Sequence, residues 1–152
     1  MLPALVEFSK NHVAIATFST WVFAQTIKVI LGIVRERRFN FMWFVGTGGL
    51  PSAHTAAATA LASSVGLYQG FDTPIFALAT LLAVLVVFDA QGVRRASGKQ
   101  AEILNKILDD MYWKKKIQED RLKELLGHTP VEIITGLMIG VFMSLLFYKG
   151  AL

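Results

Sequence analysis

The sequence predicts an all-α integral membrane protein, a helical bundle with about four transmembrane helices and a cytoplasmic amphipathic helical insert. Three observations carry this. Hydrophobic residues fill 54% of the 152 positions and charged residues only 17%, against about 25% charged in an ordinary soluble domain. The charges are clustered, which leaves uncharged runs near the length needed to cross a bilayer. Two of the apolar runs also open on helix-start signals, at Ser52 and at Thr129-Pro130. The length suits one domain, taken as 1–152. Cysteine is absent, which excludes disulfides, thiolate chemistry and thiolate metal sites. The net charge of +4 is read through the placement of the basic residues and not as a nucleic-acid signal.

The first residues, MLPALVEFSKNH, lack a basic region and a small-residue cleavage site, so they read as an interfacial lead-in and not as a cleavable signal. The first span is expected over about 13–34. Its single charge is Lys28, which either snorkels to the headgroups or shares a helix face with Arg35, seven residues on. Two cations on one face near a membrane surface suit a phosphate. Arg35, Arg37 and Arg38 then mark a loop, and Phe39, Phe41, Trp43 and Phe44 read as an interfacial aromatic belt.

A glycine run ending at Gly49 leads into Leu50-Pro51-Ser52-Ala53-His54. Ser52 is a good N-cap, so the second span is expected over about 52–68. It is rich in Ala, Ser and Thr, which let membrane helices approach closely, and this places it in the middle of the bundle. Its start is a ready anion site, because the first N–H groups have no internal partner and the helix dipole adds positive potential. His54 stands in the first turn beside it, where an imidazole can protonate a leaving oxygen.

Residues 69–74 form a tight turn. The third span, about 75–88, ends in Asp89-Ala90-Gln91-Gly92-Val93-Arg94-Arg95, which puts Asp89, Arg94 and Arg95 at the membrane surface. The positive-inside rule accounts for the arginines, which also suit phosphate oxygens, but it leaves Asp89 unexplained. Residues 96–127 form the polar insert, with Ile103, Leu104, Ile107, Leu108 and Met111 at helical spacing. Within it Lys114, Lys115 and Lys116 suit either anionic headgroups or solvent. The last span is announced by His128-Thr129-Pro130-Val131-Glu132. Thr129 and Glu132 have capping-box spacing, and a carboxylate four residues after His128 can orient its imidazole. All but Lys10 and Lys149 of the 15 basic residues fall on one side of this topology, which is therefore the cytoplasmic side, with both termini opposite.

Lys-x6-Arg, then Pro-Ser-x-His, then Arg followed by His-x3-acid, resembles the type 2 phosphatidic acid phosphatases and their relatives, the vanadium haloperoxidases. PSAHTA, DAQGVRR, QAEILN and LGHTPVE resemble more specifically the divergent branch of that superfamily, the divergent PAP2 or DUF212 proteins, over nearly the whole stretch from Lys28 to Glu132. The resemblance implies that Lys28, Arg35 and Ser52 bind phosphate, that His54 is the general acid and that His128 is the nucleophile, oriented by Glu132. Glu36, Ala53 and Glu132 stand where the phosphatase pattern has proline, glycine and aspartate. The third-motif arginine is Arg94 or Arg95 by topology, while Arg121 is nearer in sequence but one residue out of register. Gly49, Ala53 and Asp89 are expected as supporting residues.

The implied function is metal- and cofactor-free hydrolysis of a phosphate monoester or diphosphate on an inner-leaflet lipid. Phosphatidylglycerophosphate and phosphatidic acid are the leading substrates, and an isoprenoid phosphate is an alternative. The expected location is a bacterial inner membrane or an organellar membrane, with the site at the cytoplasmic face. The partners are the bilayer and its lipid phosphate, with homo-oligomerisation open and nucleic acid excluded. The competing function is a non-catalytic membrane protein that binds anionic lipid phosphates. A channel is disfavoured, because the spans carry few internal polar groups away from their cytoplasmic ends.

Overall fold

A computed structural model describes residues 2–41, 43, 49–91, 100, 102–108 and 128–150, with backbone alone for 2–5 and 91. The described residues are helical or connect helices, and none forms a strand. The helices are α1 (Leu2–Ser9), α2 (His12–Glu36), α3 (Ala53–Gln69), α4 (Pro74–Gln91) and α5 (Pro130–Gly150). A further helical stretch covers 102–108, within the expected insert. Apart from Gln100, the rest of the insert, including Lys114, Lys115 and Lys116, lies outside the described residues, as do Phe44 and most of the glycine run.

The helix boundaries follow local chemistry. Asn11 caps α2 by accepting the Ala14 N–H at 3.0 Å. Arg37 ends it in the left-handed region at φ 51°, its N–H on the Ile33 carbonyl at 2.8 Å. Ser52 caps α3 as expected. Gly70, at φ 101°, ends α3 with its N–H on the Gly66 carbonyl. Thr73 then caps α4, whose first residue is Pro74.

Helix α3 is the hub, packed against α2, α4 and α5. The residues in register define the directions. Glycines 136 and 140 of α5 meet Ser52 and Ala56 of α3 respectively, and Ser144 Oγ donates to the Ala60 carbonyl. Farther along, the Tyr68 hydroxyl donates to the Phe147 carbonyl and its ring meets Tyr148 edge-on. So α3 and α5 run parallel. Helix α2 runs the other way, with His12 stacked on Tyr68 at one end and Ala24 packed on Ala53 and Ala56 towards the other. One end of the bundle thus gathers His12, Tyr68 and Tyr148. The opposite end gathers the C-terminal half of α2, the starts of α3 and α5 and the end of α4.

The packing is inverted relative to a soluble protein. The centre is small and polar: Thr20, Thr55, Ser52, Ser64 and Ser144 are among its most buried side chains, and Ser64 donates to Ser144 at 3.1 Å. Large apolar residues face outward instead, among them Phe18, Ile30, Leu78, Leu85, Phe88, Met138 and Phe142. A soluble monomer rarely exposes apolar surface on this scale. Two helices, α2 and α5, are long and apolar enough to cross a membrane, and α4 is apolar but shorter. Trp43 packs on α2: a Cβ added at Gly32 would lie 2.8 Å from its ring.

The α3–α5 approach depends on glycine. A Cβ at Gly140 would lie 2.6 Å from the Ala56 carbonyl oxygen and 2.6 Å from Thr59 Cβ, and neither can swing aside. Gly140→Leu is therefore expected to destabilise the purified protein by about 1–3 kcal/mol or more, the usual cost of overpacking. Gly150→Leu is the control, since nothing lies within 4 Å of a Cβ there. Thermal unfolding in detergent checks this, and equal effects of the two changes would contradict the packing.

Candidate functional site

The site is built at the end of the bundle where α3 and α5 begin. Thr129 and Glu132 form the expected capping box: the Glu132 N–H donates to Thr129 Oγ1 at 3.4 Å, and the Thr129 N–H donates to Glu132 Oε2 at 3.2 Å. The same Oε2 lies 2.8 Å from His128 Nδ1. A carboxylate oxygen accepts, so Nδ1 carries a proton and the Nε2 lone pair is left for other chemistry. The His128 side chain is 1% exposed. Its Nε2 is buried and has no hydrogen-bond partner among the described residues. Leaving a buried polar atom unsatisfied costs about 1–3 kcal/mol, so among the described residues nothing offsets the burial of this nitrogen.

Two backbone bonds fix this unit to its neighbours. The His128 N–H donates to the Ala90 carbonyl at 3.1 Å, tying it to the end of α4. The Ser52 N–H donates to the Glu132 carbonyl at 3.1 Å. Glu132 therefore orients His128 through its side chain and holds the start of α3 through its main chain. Gly136, one turn on, lets the two helix starts meet, since a Cβ there would lie 2.7 Å from the Ser52 carbonyl oxygen.

At the start of α3, Ser52 is fully buried, and its hydroxyl donates to Thr55 Oγ1 at 2.9 Å. The Thr55 N–H approaches Ser52 Oγ at 3.4 Å, which completes the cap. Ala53 is buried against Ala24 of α2. Lys28 is 8% exposed, so it is held inside the bundle and does not snorkel along its surface. Its stem passes 3.6 Å from where a Cβ on Gly49 would stand. That is ordinary contact distance, so what calls for glycine at 49 is its left-handed turn, at φ 88°.

His54 lies on the other side of the α3 start and is exposed. It lines a cavity of about 280 Å³ with Leu85, Val86, Asp89 and Ala90 of α4. Ala90 links the two histidines, since its carbonyl holds the His128 main chain and the residue also lines the His54 cavity. Arg35 is exposed near the end of α2. The spacing puts it on the Lys28 face, but α2 has 25 residues against 17 in α3, and its last turns carry Arg35 past the part of the bundle that buries Lys28. Arg94, Arg95 and Arg121 lie outside the described residues.

Sequence reading missed Thr55, which holds the Ser52 hydroxyl, and Gln25, buried one turn before Lys28. The Ser-x-x-Thr and Gln-x-x-Lys spacings were visible, but such spacing is common in helices and marks nothing by itself.

The profile of a family described as the "Divergent PAP2 family" matches residues 9–143. The "Uncharacterized membrane protein YuiD" of Bacillus subtilis (strain 168) is 36% identical to this chain, over 92% of this chain and 96% of that protein. No solved structure matches.

Proposed function

Because the chain belongs to the divergent PAP2 family, we propose that it is a four-span membrane lipid phosphatase that works through a phosphohistidine and needs no metal. The observation that carries the proposal is the His128 ring, with Nδ1 held by Glu132 and Nε2 buried and uncommitted. A histidine oriented by a carboxylate through one nitrogen is a competent nucleophile at the other.

The reaction divides into two balanced steps. Nε2 of His128 attacks phosphorus while the bond to the lipid oxygen breaks, and His54 gives its proton to the leaving alkoxide. Water then attacks the phosphohistidine, His54 takes a proton from that water, and the P–N bond breaks to release inorganic phosphate and restore His128. Glu132 stabilises the positive charge that grows on the ring in the first step. Lys28 and the first N–H groups of α3 supply positive potential for the phosphoryl oxygens. Arg35, Ser52 and Arg94 or Arg95 complete the phosphate set in this proposal. Ser52 would turn its hydroxyl from Thr55 to the phosphate. That present engagement is also what favours the second reading, a non-catalytic binder of lipid phosphates.

The inverted packing, with α3 enclosed by α2, α4 and α5, supports the reading of four spans. At 17 and 18 residues, α3 and α4 lie at the short end of what spans a bilayer. The basic side is cytoplasmic, so the substrate is an inner-leaflet lipid such as phosphatidylglycerophosphate or phosphatidic acid. Single cysteines at Gln69 and Lys116 test the orientation on a chain with none of its own. An impermeant thiol reagent on intact cells is expected to label the first position alone, and labelling of the second alone would reverse the topology.

The function itself is tested by phosphate release from a panel of lipid phosphates by the purified protein. Activity is expected to survive EDTA. Vanadate is expected to inhibit, because its pentacoordinate form resembles the transition state that such a site binds best. Loss of activity in EDTA with recovery on adding a divalent ion would rule out the metal-free mechanism. A protein that binds these lipids and releases no phosphate would leave the second reading.

A further inference from the structure

The aromatic run after α2 does not act as one belt. Phe39 and Phe41 are exposed, as belt residues would be, but Trp43 is half-buried against α2. Arg37 turns the chain at the end of α2, and the Trp43 N–H donates to the Asn40 carbonyl at 3.1 Å. The indole lies on Gly32, where a Cβ would stand 2.8 Å from Cε3, 2.9 Å from Cδ2 and 3.0 Å from Cζ3. A glycine is what lets a ring come so close to the helix. Leu31, Ile33 and Val34 beside it are exposed, so Gly32 is a notch in the last turns of α2, and Trp43 fills it.

The place of the notch matters. Gly32 comes four residues after Lys28 and three before Arg35, so the three share one face of α2. The chain that leads into α3 therefore touches this face twice, with Trp43 at Gly32 and Gly49 at the Lys28 stem. The two contacts are one helical turn apart on α2 and six residues apart in the connection. Gly49 helps to enclose the lysine, and Trp43 ties down the segment that carries Gly49. Enclosure has a consequence for binding. A lysine is a point charge on a flexible four-carbon stem, and its attraction for an anion is several-fold stronger in a low dielectric than in water.

We infer that Trp43 is a positioning residue for Lys28: seated on Gly32, it holds Gly49 against the lysine stem and keeps the lysine enclosed and aligned for a phosphate oxygen. This rests on Lys28 as a phosphate ligand, a role that the phosphatase and the binder readings share.

The test is calorimetry with inorganic phosphate on the purified full chain in detergent, for wild type, Trp43→Ala, Lys28→Met and the two changes together. Lys28→Met removes the charge and keeps most of the stem. Each single change is expected to weaken phosphate binding by about tenfold or more, the worth of one hydrogen bond to a charged group. The double variant is expected to bind no more weakly than Lys28→Met, because Trp43 acts through the lysine. Gly32→Leu unseats the ring from the other side and is expected to match Trp43→Ala. Trp43→Phe keeps a ring and is expected to stay close to wild type. These two variants decide the matter if Trp43→Ala does not fold. Losses that multiply in the double variant would make Trp43 a packing residue of the fold. Unchanged binding in Trp43→Ala and Gly32→Leu would make it a belt residue, and tighter binding would make the ring an obstacle between Lys28 and Arg35. Each of these results overturns the inference while Lys28 stands as a phosphate ligand. No binding by wild type, or binding that Lys28→Met leaves unchanged, would overturn that role and the inference with it.

Discussion

His128→Ala is expected to abolish turnover, by about 10⁴-fold or more, because in the proposed mechanism its ring nitrogen forms the covalent intermediate. The variant is expected to keep its fold. It removes a buried ring but also removes an unsatisfied buried nitrogen, so the two effects oppose each other. Its backbone N–H still reaches Ala90, and the Thr129–Glu132 capping box does not use the ring. Brief incubation of wild type with labelled lipid phosphate, followed by quenching, is expected to trap acid-labile label on the protein, and His128→Ala should trap none. His54→Ala has a different signature. It is expected to cost about 10²–10⁴-fold on lipid substrates, the usual worth of a general acid, and far less on an ester with a good leaving group. It should still accumulate label. Full lipid-phosphatase activity in both variants would end the histidine mechanism.

Glu132 is the next most sensitive position, and its two functions can be separated. Glu132→Gln keeps an oxygen that can accept from Thr129 N–H and from His128 Nδ1, but it loses the charge that stabilises an imidazolium. The expected result is a fall in kcat of about 10²–10⁴-fold, by analogy with the loss of an orienting carboxylate in other histidine-dependent sites, and little change in stability. Thr129→Ala does the reverse. It removes the N-cap hydroxyl and is expected to cost about 1 kcal/mol of stability, with His128 still bonded to Glu132. A kcat measurement beside thermal unfolding in detergent distinguishes them. If Glu132→Gln keeps full kcat, or if the two variants lose activity and stability in parallel, the carboxylate is a cap and nothing more.

Much of the candidate site can be read from local sequence because its parts are local. The Ser52 cap, the Thr129–Glu132 capping box and the His128–Glu132 spacing each lie within four residues, and one turn of helix is enough to bring such groups together. The helix limits are legible for the same reason, since Asn11, Ser52, Gly70 and Thr73-Pro74 act on their own neighbours. Membrane character is also legible, because composition and clustered charge do not depend on how the helices pack. The small-residue stretch of α3 correctly marks it as the buried helix, since only small residues allow three neighbours to come so close.

Tertiary structure decided everything that depends on pairs far apart in the chain. The Ser52–Glu132 backbone bond joins residues 80 positions apart and makes one residue serve both halves of the site. The bond from His128 to Ala90 sets the proposed nucleophile against the end of α4. Helical periodicity places Lys28 and Arg35 on one face, but the bundle buries only the first, because α2 outlasts the helices beside it. Whether a histidine is enclosed like His128 or open like His54, with Asp89 at its side, depends on which helix lies across from it. Local sequence sets where each helix starts and which groups share its faces. The neighbours that bury or expose those faces are chosen by packing between helices, for which no short stretch carries the information.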